Sequence, residues 1–128
     1  MYKIFIIEDD KALCENIKDG VAKWGFAVAS IENFDNILEE FTIYKPHLVI
    51  MDINLPYFDG FYWCKKIRDV SKVPIIFLSS RDSNMDIIMA VNMGGDDFVT
   101  KPFSMDILWQ KYKLYLDVPI LMEKEKTI

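Results

Sequence analysis

The sequence predicts an α/β domain: five strand–helix units in series, folded as a parallel sheet with helices on both faces. Two observations carry this. Three runs, residues 4–7 (IFII), 48–51 (LVIM) and 75–78 (IIFL), are short, wholly apolar and bounded by polar residues or proline. Without alternation, such runs read as strands covered on both sides. Between them lie segments with apolar residues at helical spacing, so strand and helix alternate along the chain. That alternation marks parallel βα units.

Taken in order, residues 4–7 form the first strand, and Leu13, Ile17, Val21 and Trp24 the apolar stripe of the first helix. Asp10 is placed to cap that helix and Gly25 to stop it. Residues 26–31 are a weaker strand. Phe34, Ile37, Leu38 and Phe41 stripe a second helix that ends before Pro46. After the strand at 48–51, Asp59-Gly60 leads into a third helix carrying Phe61, Cys64 and Ile67. After the strand at 75–78, residues 84–93 form a fourth helix closed by Gly94-Gly95. Residues 97–100 are a short fifth strand, and Ser104 caps a helix bearing Leu108, Tyr112 and Tyr115. Residues 1–116 thus make one domain. Residues 117–128, with Pro119 and EKEK, change character and read as a linker or tail.

A chain of 128 residues can bury a real core. Its 52% hydrophobic and 27% charged residues are those of a soluble globular domain. A formal charge of −5 argues against a surface built for phosphate backbones. No apolar run approaches the length of a membrane span, and the start MYKIFIIEDD is not a signal peptide. Cys14 and Cys64 lack a CxxC spacing and read as small apolar residues in a reduced compartment. His47 reads as a surface residue with no assigned role.

In parallel α/β sheets, ligands sit beyond the carboxyl ends of the strands. There this chain places Glu8-Asp9-Asp10, Asp52, Ser79-Ser80 and Thr100-Lys101-Pro102. Each has an ordinary reading: Asp10 as a helix cap, Ser79 as a turn residue, Lys101 as an exposed cation. Jointly, those readings require four strand ends to carry complementary chemistry by accident. Clustered carboxylates repel unless a cation intervenes. A hard divalent ion with few protein ligands fits, and Mg²⁺ is the natural choice. A carboxylate beside a metal, a hydroxyl and an ammonium is what a phosphoryl-accepting nucleophile needs.

The motifs IIEDD, VIMDINLPYFDG, PIIFLSS and GGDDFVTKPF together resemble the receiver domain of two-component response regulators. Within that group they are similar to the OmpR/PhoB class of winged-helix transcription factors, over roughly residues 2–116. KWGF, YKPHLVI, DGFYWCKKIR and FLSSRDSNMD also resemble the subgroup tied to resistance to bacitracin and other antimicrobial peptides.

The resemblance implies a flavodoxin-like, doubly wound, five-stranded sheet of order 2-1-3-4-5. It implies that Asp52 accepts a phosphoryl group from a sensor histidine kinase. Asp9 and Asp52 would ligate Mg²⁺ through their carboxylates and Asn54 through its backbone carbonyl, with Glu8 acting through water. Ser79 and Lys101 would hold the phosphoryl oxygens, the Lys101–Pro102 bond would be cis, and Phe98 would be the aromatic switch. Asn54 and Arg81 would flank the path of an attacking water and tune the lifetime of the phosphoryl group.

The resemblance further implies a cytoplasmic protein that dimerises on activation through its fourth helix, fifth strand and fifth helix. One ion pair of that interface falls on Ile87 and Ile107, leaving an apolar pair in place of a salt bridge. With Ile88, Val91 and Trp109 these either form an apolar patch or tuck into the core. Asp96, Asp97 and Lys111 keep the family's charge pattern. DNA would be bound only through a C-terminal winged-helix domain that these 128 residues lack. They are thus either the receiver part of a longer transcription factor or a single-domain receiver. Two rivals are weaker. A dehalogenase-type phosphatase needs an acid two residues after its nucleophile, where Asn54 stands, and a cofactor-binding flavodoxin would not place Glu8-Asp9-Asp10 at its phosphate loop.

Overall fold

The computed structural model describes residues 1–116; the predicted linker or tail at 117–128 lies outside the described residues. Its elements run β1 (Lys3–Ile7), α1 (Lys11–Lys23), β2 (Ala27–Ser30), α2 (Ile37–Tyr44), β3 (Leu48–Met51), α3 (Gly60–Arg68), β4 (Ile75–Ser79), α4 (Asn84–Asn92), β5 (Asp97–Thr100) and α5 (Met105–Tyr115). All neighbouring strands pair in parallel, in the order β2-β1-β3-β4-β5.

The wholly apolar strands follow from this sheet having two covered faces. Successive side chains point to opposite sides. Ile4 and Ile6 therefore join Val21, Ile50, Leu108 and Tyr112 under α1 and α5. Phe5 and Ile7 join Phe41, Val49, Cys64, Ile67 and Phe77 under α2 and α3. Four helices begin with a side chain accepting a backbone N–H: Asp10 from Leu13 (3.1 Å), Asp59 from Tyr62 (2.9 Å), Ser83 from Asp86 (3.1 Å) and Ser104 from Ile107 (3.2 Å). Each satisfies a donor that a helix start leaves open. Gly25 (φ 86°) and Gly94 (φ 100°) turn the chain after α1 and α4 through left-handed backbone.

Three details differ from the sequence reading. Phe34 lies ahead of α2 rather than on it. Trp63, absent from the predicted stripe of α3, is buried beside Phe58 and Tyr62. Of α4 only Ala90 is buried, so this helix lays a narrow stripe on the sheet and leaves much apolar surface outside. No helix among the described residues is long and apolar enough to cross a membrane.

The question left open at Ile87 and Ile107 is answered on this surface. Both side chains face outward, 38% and 48% exposed, with Ile88 and Val91 alongside on α4. Trp109 is a correction. Its ring packs on Trp24 (4.9 Å between centroids) and Phe26 (6.1 Å), toward α1. Two residues on a helix advance by about 200°, so Trp109 and Ile107 cannot share a face. The Asp96 carboxylate is engaged within the chain by Arg68 (2.6 Å) and the Ile75 N–H (2.8 Å). Asp97 pairs with Lys111 (3.1 Å) and accepts from the Tyr115 hydroxyl (3.1 Å).

Candidate functional site

The carboxyl ends of β1, β3, β4 and β5 converge because the sheet is parallel and these strands are neighbours. The Asp52 N–H donates to the Ile7 carbonyl (2.9 Å), which locks the end of β3 to β1. The side chain of Asp52 then emerges, nearly buried, between Glu8 and Lys101. Its Oδ1 accepts from the Ile53 N–H (2.7 Å) and its Oδ2 from Lys101 Nζ (3.2 Å). Lys101 Nζ also donates to Glu8 Oε1 at 2.6 Å, while Glu8 Oε2 accepts from the Asp10 N–H at 3.1 Å. One ammonium thus bridges two acids that lie 93 and 49 residues before it in the sequence.

Burial shifts these groups in opposite senses. Glu8 is pushed up to about 7, chiefly by burial and further by the charge of Asp52, against its bonds to Lys101 and the Asp10 N–H. For Lys101, burial pulls downward, but the bond to Glu8 and the charges of Asp52 and Glu8 outweigh it and leave the ammonium above its ordinary value. The site therefore keeps a firmly protonated lysine against carboxylates short of positive charge.

Glu8, Asp9 and Asp52 each offer a carboxylate oxygen, all within 4.8 Å of one another. An all-oxygen set on two buried side chains and one exposed one suits a hard cation that keeps some of its water. The charge of Asp52 adds to burial in raising Glu8, so the two acids repel one another. The donor set fits Mg²⁺.

Ser79, at the end of β4, is fully buried, and its Oγ accepts from the Arg81 N–H (3.1 Å). The Lys101 N–H donates to the Ser79 carbonyl (3.0 Å), so the two residues expected to hold phosphoryl oxygens are tied together. The Lys101–Pro102 bond is cis. Phe98, on β5, is half-buried with its ring 6.3 Å from Phe77. Asn54 is exposed, and its side-chain carbonyl accepts from Arg81 Nη1 (3.3 Å). Beside the acids a groove of about 690 Å³ is lined by Leu13 and Asn16 of α1 and by Pro102, Phe103 and Met105 beyond β5.

One residue escaped the sequence reading, Asp86. Arg81 also pairs with Asp86 on α4 (2.8 Å), and Asp86 accepts from the Ser83 hydroxyl (2.7 Å). The signal was present as S-x-x-D at residues 83–86, a capping pattern in which the acid reaches back to the cap. Those bonds hold the Asp86 carboxyl below its usual range, Ser83 contributing most.

A parallel α/β sheet with an acid pocket, a bridging lysine and a buried serine at its carboxyl edge defines the class: a phosphoacceptor signalling domain. The family model for the response regulator receiver domain matches residues 4–113, and the chain belongs to that family. It is 51% identical over 116 residues to the sensory transduction protein BceR of Halalkalibacterium halodurans, covering 91% of this chain and 50% of that protein. It is 46% identical over 109 residues to the response regulator protein GraR of Staphylococcus aureus, covering 85% and 49%. The solved N-terminal domain of the nisin resistance regulator NsrR, a lantibiotic response regulator, superposes with a TM-score of 0.82. It is 43% identical, covering 90% of this chain and 97% of that one. These relatives are of the OmpR/PhoB type. The chain spans about half the length of the curated relatives it matches. Receivers of this family are signalling phosphoacceptors rather than turnover enzymes, bind Mg²⁺ at an acidic pocket and are served by sensor histidine kinases.

Proposed function

We propose that this domain is a switch thrown by phosphorylation of Asp52. The observation that carries the reading is the placement of Asp52: nearly buried, bonded to Lys101, and beside Glu8, Asp9 and Ser79. An Asp52 oxygen attacks the phosphorus of a kinase phosphohistidine in line. The P–N bond breaks, the imidazole leaves with the electron pair, and an acyl phosphate remains on Asp52. Lys101 draws off charge from the phosphoryl oxygens, and the Ile53 N–H orients the carboxylate. Glu8, Asp9, Asp52 and the Asn54 backbone carbonyl would hold Mg²⁺, which when bound supplies the remaining positive charge. The groove between α1 and the β5–α5 loop, bordered by Lys101 and with Leu13, Pro102, Phe103 and Met105 in its lining, suits an approaching kinase helix. Asn54 offers no acid for rapid hydrolysis, so dephosphorylation by the domain itself is slow.

Phosphorylation gives the Ser79 hydroxyl a stronger acceptor than the position it now holds against the Arg81 N–H. As Ser79 moves toward the phosphoryl group, Phe98 turns inward into the space it leaves. Reversing a 1:99 equilibrium takes about 5.5 kcal/mol of differential binding. Hydrogen bonds to charged groups are worth roughly 1.5–3 kcal/mol each, so two or three new ones suffice. The output is a homodimer through α4, β5 and α5, controlling DNA through a winged-helix domain in the full-length protein, in the cytoplasm.

Incubation with acetyl phosphate and Mg²⁺, followed by intact mass and peptide mapping, tests the central claim. One phosphoryl group is expected, on the peptide containing Asp52, and none in the presence of a chelator. A chain that gains nothing, or gains it on another peptide, overturns the reading.

The interface makes a separate prediction. With Ile87, Ile88, Val91 and Ile107 outward and Asp96 committed to Arg68, apolar contact dominates this face. Apolar association is insensitive to screening. The phosphorylated dimer therefore persists in sedimentation experiments from low to high salt; ready dissociation at high salt would contradict this.

A further inference from the structure

Arg81 spans the mouth of the site. Its guanidinium donates from Nε to Asp86 Oδ1 (3.0 Å), lies 2.8 Å from the same oxygen through Nη2, reaches Asn54 Oδ1 through Nη1 (3.3 Å), and sits 5.5 Å above the Phe61 ring. Its backbone N–H holds the Ser79 hydroxyl. Asp86 is fastened to the start of α4, accepting from the Ser83 hydroxyl while its own N–H donates to Ser83 Oγ. A single side chain thus joins the loop two residues beyond Asp52 to the first turn of α4.

We infer that Arg81, on the reading of Asp52 as phosphoacceptor, exchanges Asp86 for the phosphoryl group and so frees the first turn of α4. The present pair is loosely held: the Arg81 side chain is 40% exposed, and pairs in contact with water are weak. A phosphoryl group carries close to two negative charges on three oxygens and accepts bidentately from a guanidinium. Lys101 is already shared between Glu8 and Asp52, which leaves Arg81 as a second cation at the mouth. Its contact with Asn54 puts it within a side-chain rotation of the new charge. Departure from Asp86 removes the tie between the site and α4, the helix that presents Ile87, Ile88 and Val91. Once seated on the phosphoryl oxygens, the guanidinium also lies across the path of an in-line water.

Two variants of the 128-residue chain move the phosphoryl lifetime in opposite directions. Arg81→Ala removes the guanidinium and shortens the lifetime by about two- to fivefold, the effect of one partly exposed charge pair. Asp86→Asn keeps a side-chain acceptor for Ser83 but releases Arg81 to the phosphoryl group, and lengthens the lifetime by a similar factor. Amide hydrogen exchange at residues 84–87 accelerates on phosphorylation in the parent chain. In Asp86→Asn it is already fast beforehand, and phosphorylation adds little. Ser83→Ala serves as the structural control: it loosens the same turn by removing its cap yet leaves the lifetime unchanged. If Asp86→Asn fails to lengthen the lifetime, or Ser83→Ala reproduces its effect, the exchange does not occur. If the parent chain gains no phosphoryl group by mass, the reading of Asp52 falls instead, which is a different result.

Discussion

The Asp52→Ala chain gains no phosphoryl group from acetyl phosphate and Mg²⁺, and Lys101→Met gains one about 10²–10³-fold more slowly than the parent chain. The two losses differ in kind. With Asp52 as the proposed acceptor, alanine leaves no carboxylate at the end of β3. Glu8 is the one other acid bonded to Lys101 among the described residues, so it is the group to watch. It follows β1, and its second oxygen is turned to the Asp10 N–H. Phosphoryl transfer to Glu8 in Asp52→Ala would mean that position along the sheet edge does not select the acceptor. Lys101→Met keeps the length of the side chain and removes only its charge. Preorganised charge aimed at oxygens that become more negative in the transition state is worth several powers of ten in rate when solvent is kept away. Lys101 is such a group, bonded to one oxygen of the acceptor itself at 3.2 Å. Its loss also leaves the buried Oε1 of Glu8 without its bond, a cost of about 1–3 kcal/mol. Thermal unfolding of both variants distinguishes failed chemistry from a failed fold: each still unfolds cooperatively, and only phosphoryl gain is abolished or slowed by orders of magnitude. A Lys101→Met chain phosphorylated within about fivefold of the parent rate would place the stabilising charge elsewhere.

The parts of this arrangement differ in how plainly the sequence carries them. Strands β1, β3 and β4 were legible because both of their faces are buried, which forces an unbroken apolar run. The catalytic edge was legible for a related reason: an apolar run ending in Asp52 or Ser79 marks where the covered sheet meets solvent. Helix α4 was harder. Periodicity alone did not fix which way its residues face, because this helix meets the sheet through little more than Ala90. The outward Ile87 follows from that shallow seat, not from any local signal. Trp109 shows the converse. Proximity in sequence to Ile107 suggested a shared surface, whereas helical geometry carries it round to Trp24. Asp96 kept the charge pattern of an interface residue while its carboxylate was already taken up by Arg68 and the Ile75 N–H, partners 28 and 21 residues away. Arg81 was legible only as a position beside the path of an attacking water, and Asp86 as an ordinary charge. Their connection lies in Arg81 reaching both Asp86 and Asn54, contacts that depend on the sheet order.

Gly60→Ala lowers the unfolding temperature by about 10 °C, the equivalent of roughly 3 kcal/mol in a domain of this size. It also slows phosphoryl gain by about 10²-fold. Gly60 opens α3 just after its Asp59 cap, and its N–H donates to the Ile53 carbonyl (2.8 Å). That bond draws the helix start against the end of β3. A Cβ on Gly60 would fall inside van der Waals contact with the Asp52 carbonyl oxygen, and within 3.0 Å of the Asp52 carbonyl carbon and the Ile53 Cα. All three are backbone atoms, so no rotamer change relieves the overlap. Either α3 moves away and the Gly60–Ile53 bond is lost, or the residue bearing the nucleophile shifts relative to Lys101. Displacement of reacting groups by about 1 Å is enough to cost two orders of magnitude in rate. Gly25 provides the comparison. Its φ of 86° penalises alanine too, but a Cβ there meets nothing within 4 Å. Gly25→Ala therefore costs about 1–2 kcal/mol through backbone strain alone and leaves phosphorylation intact. The two variants separate in the ratio of rate loss to stability loss. A Gly60→Ala chain that matched Gly25→Ala in both measurements would show that α3 can retreat from Asp52 without moving it.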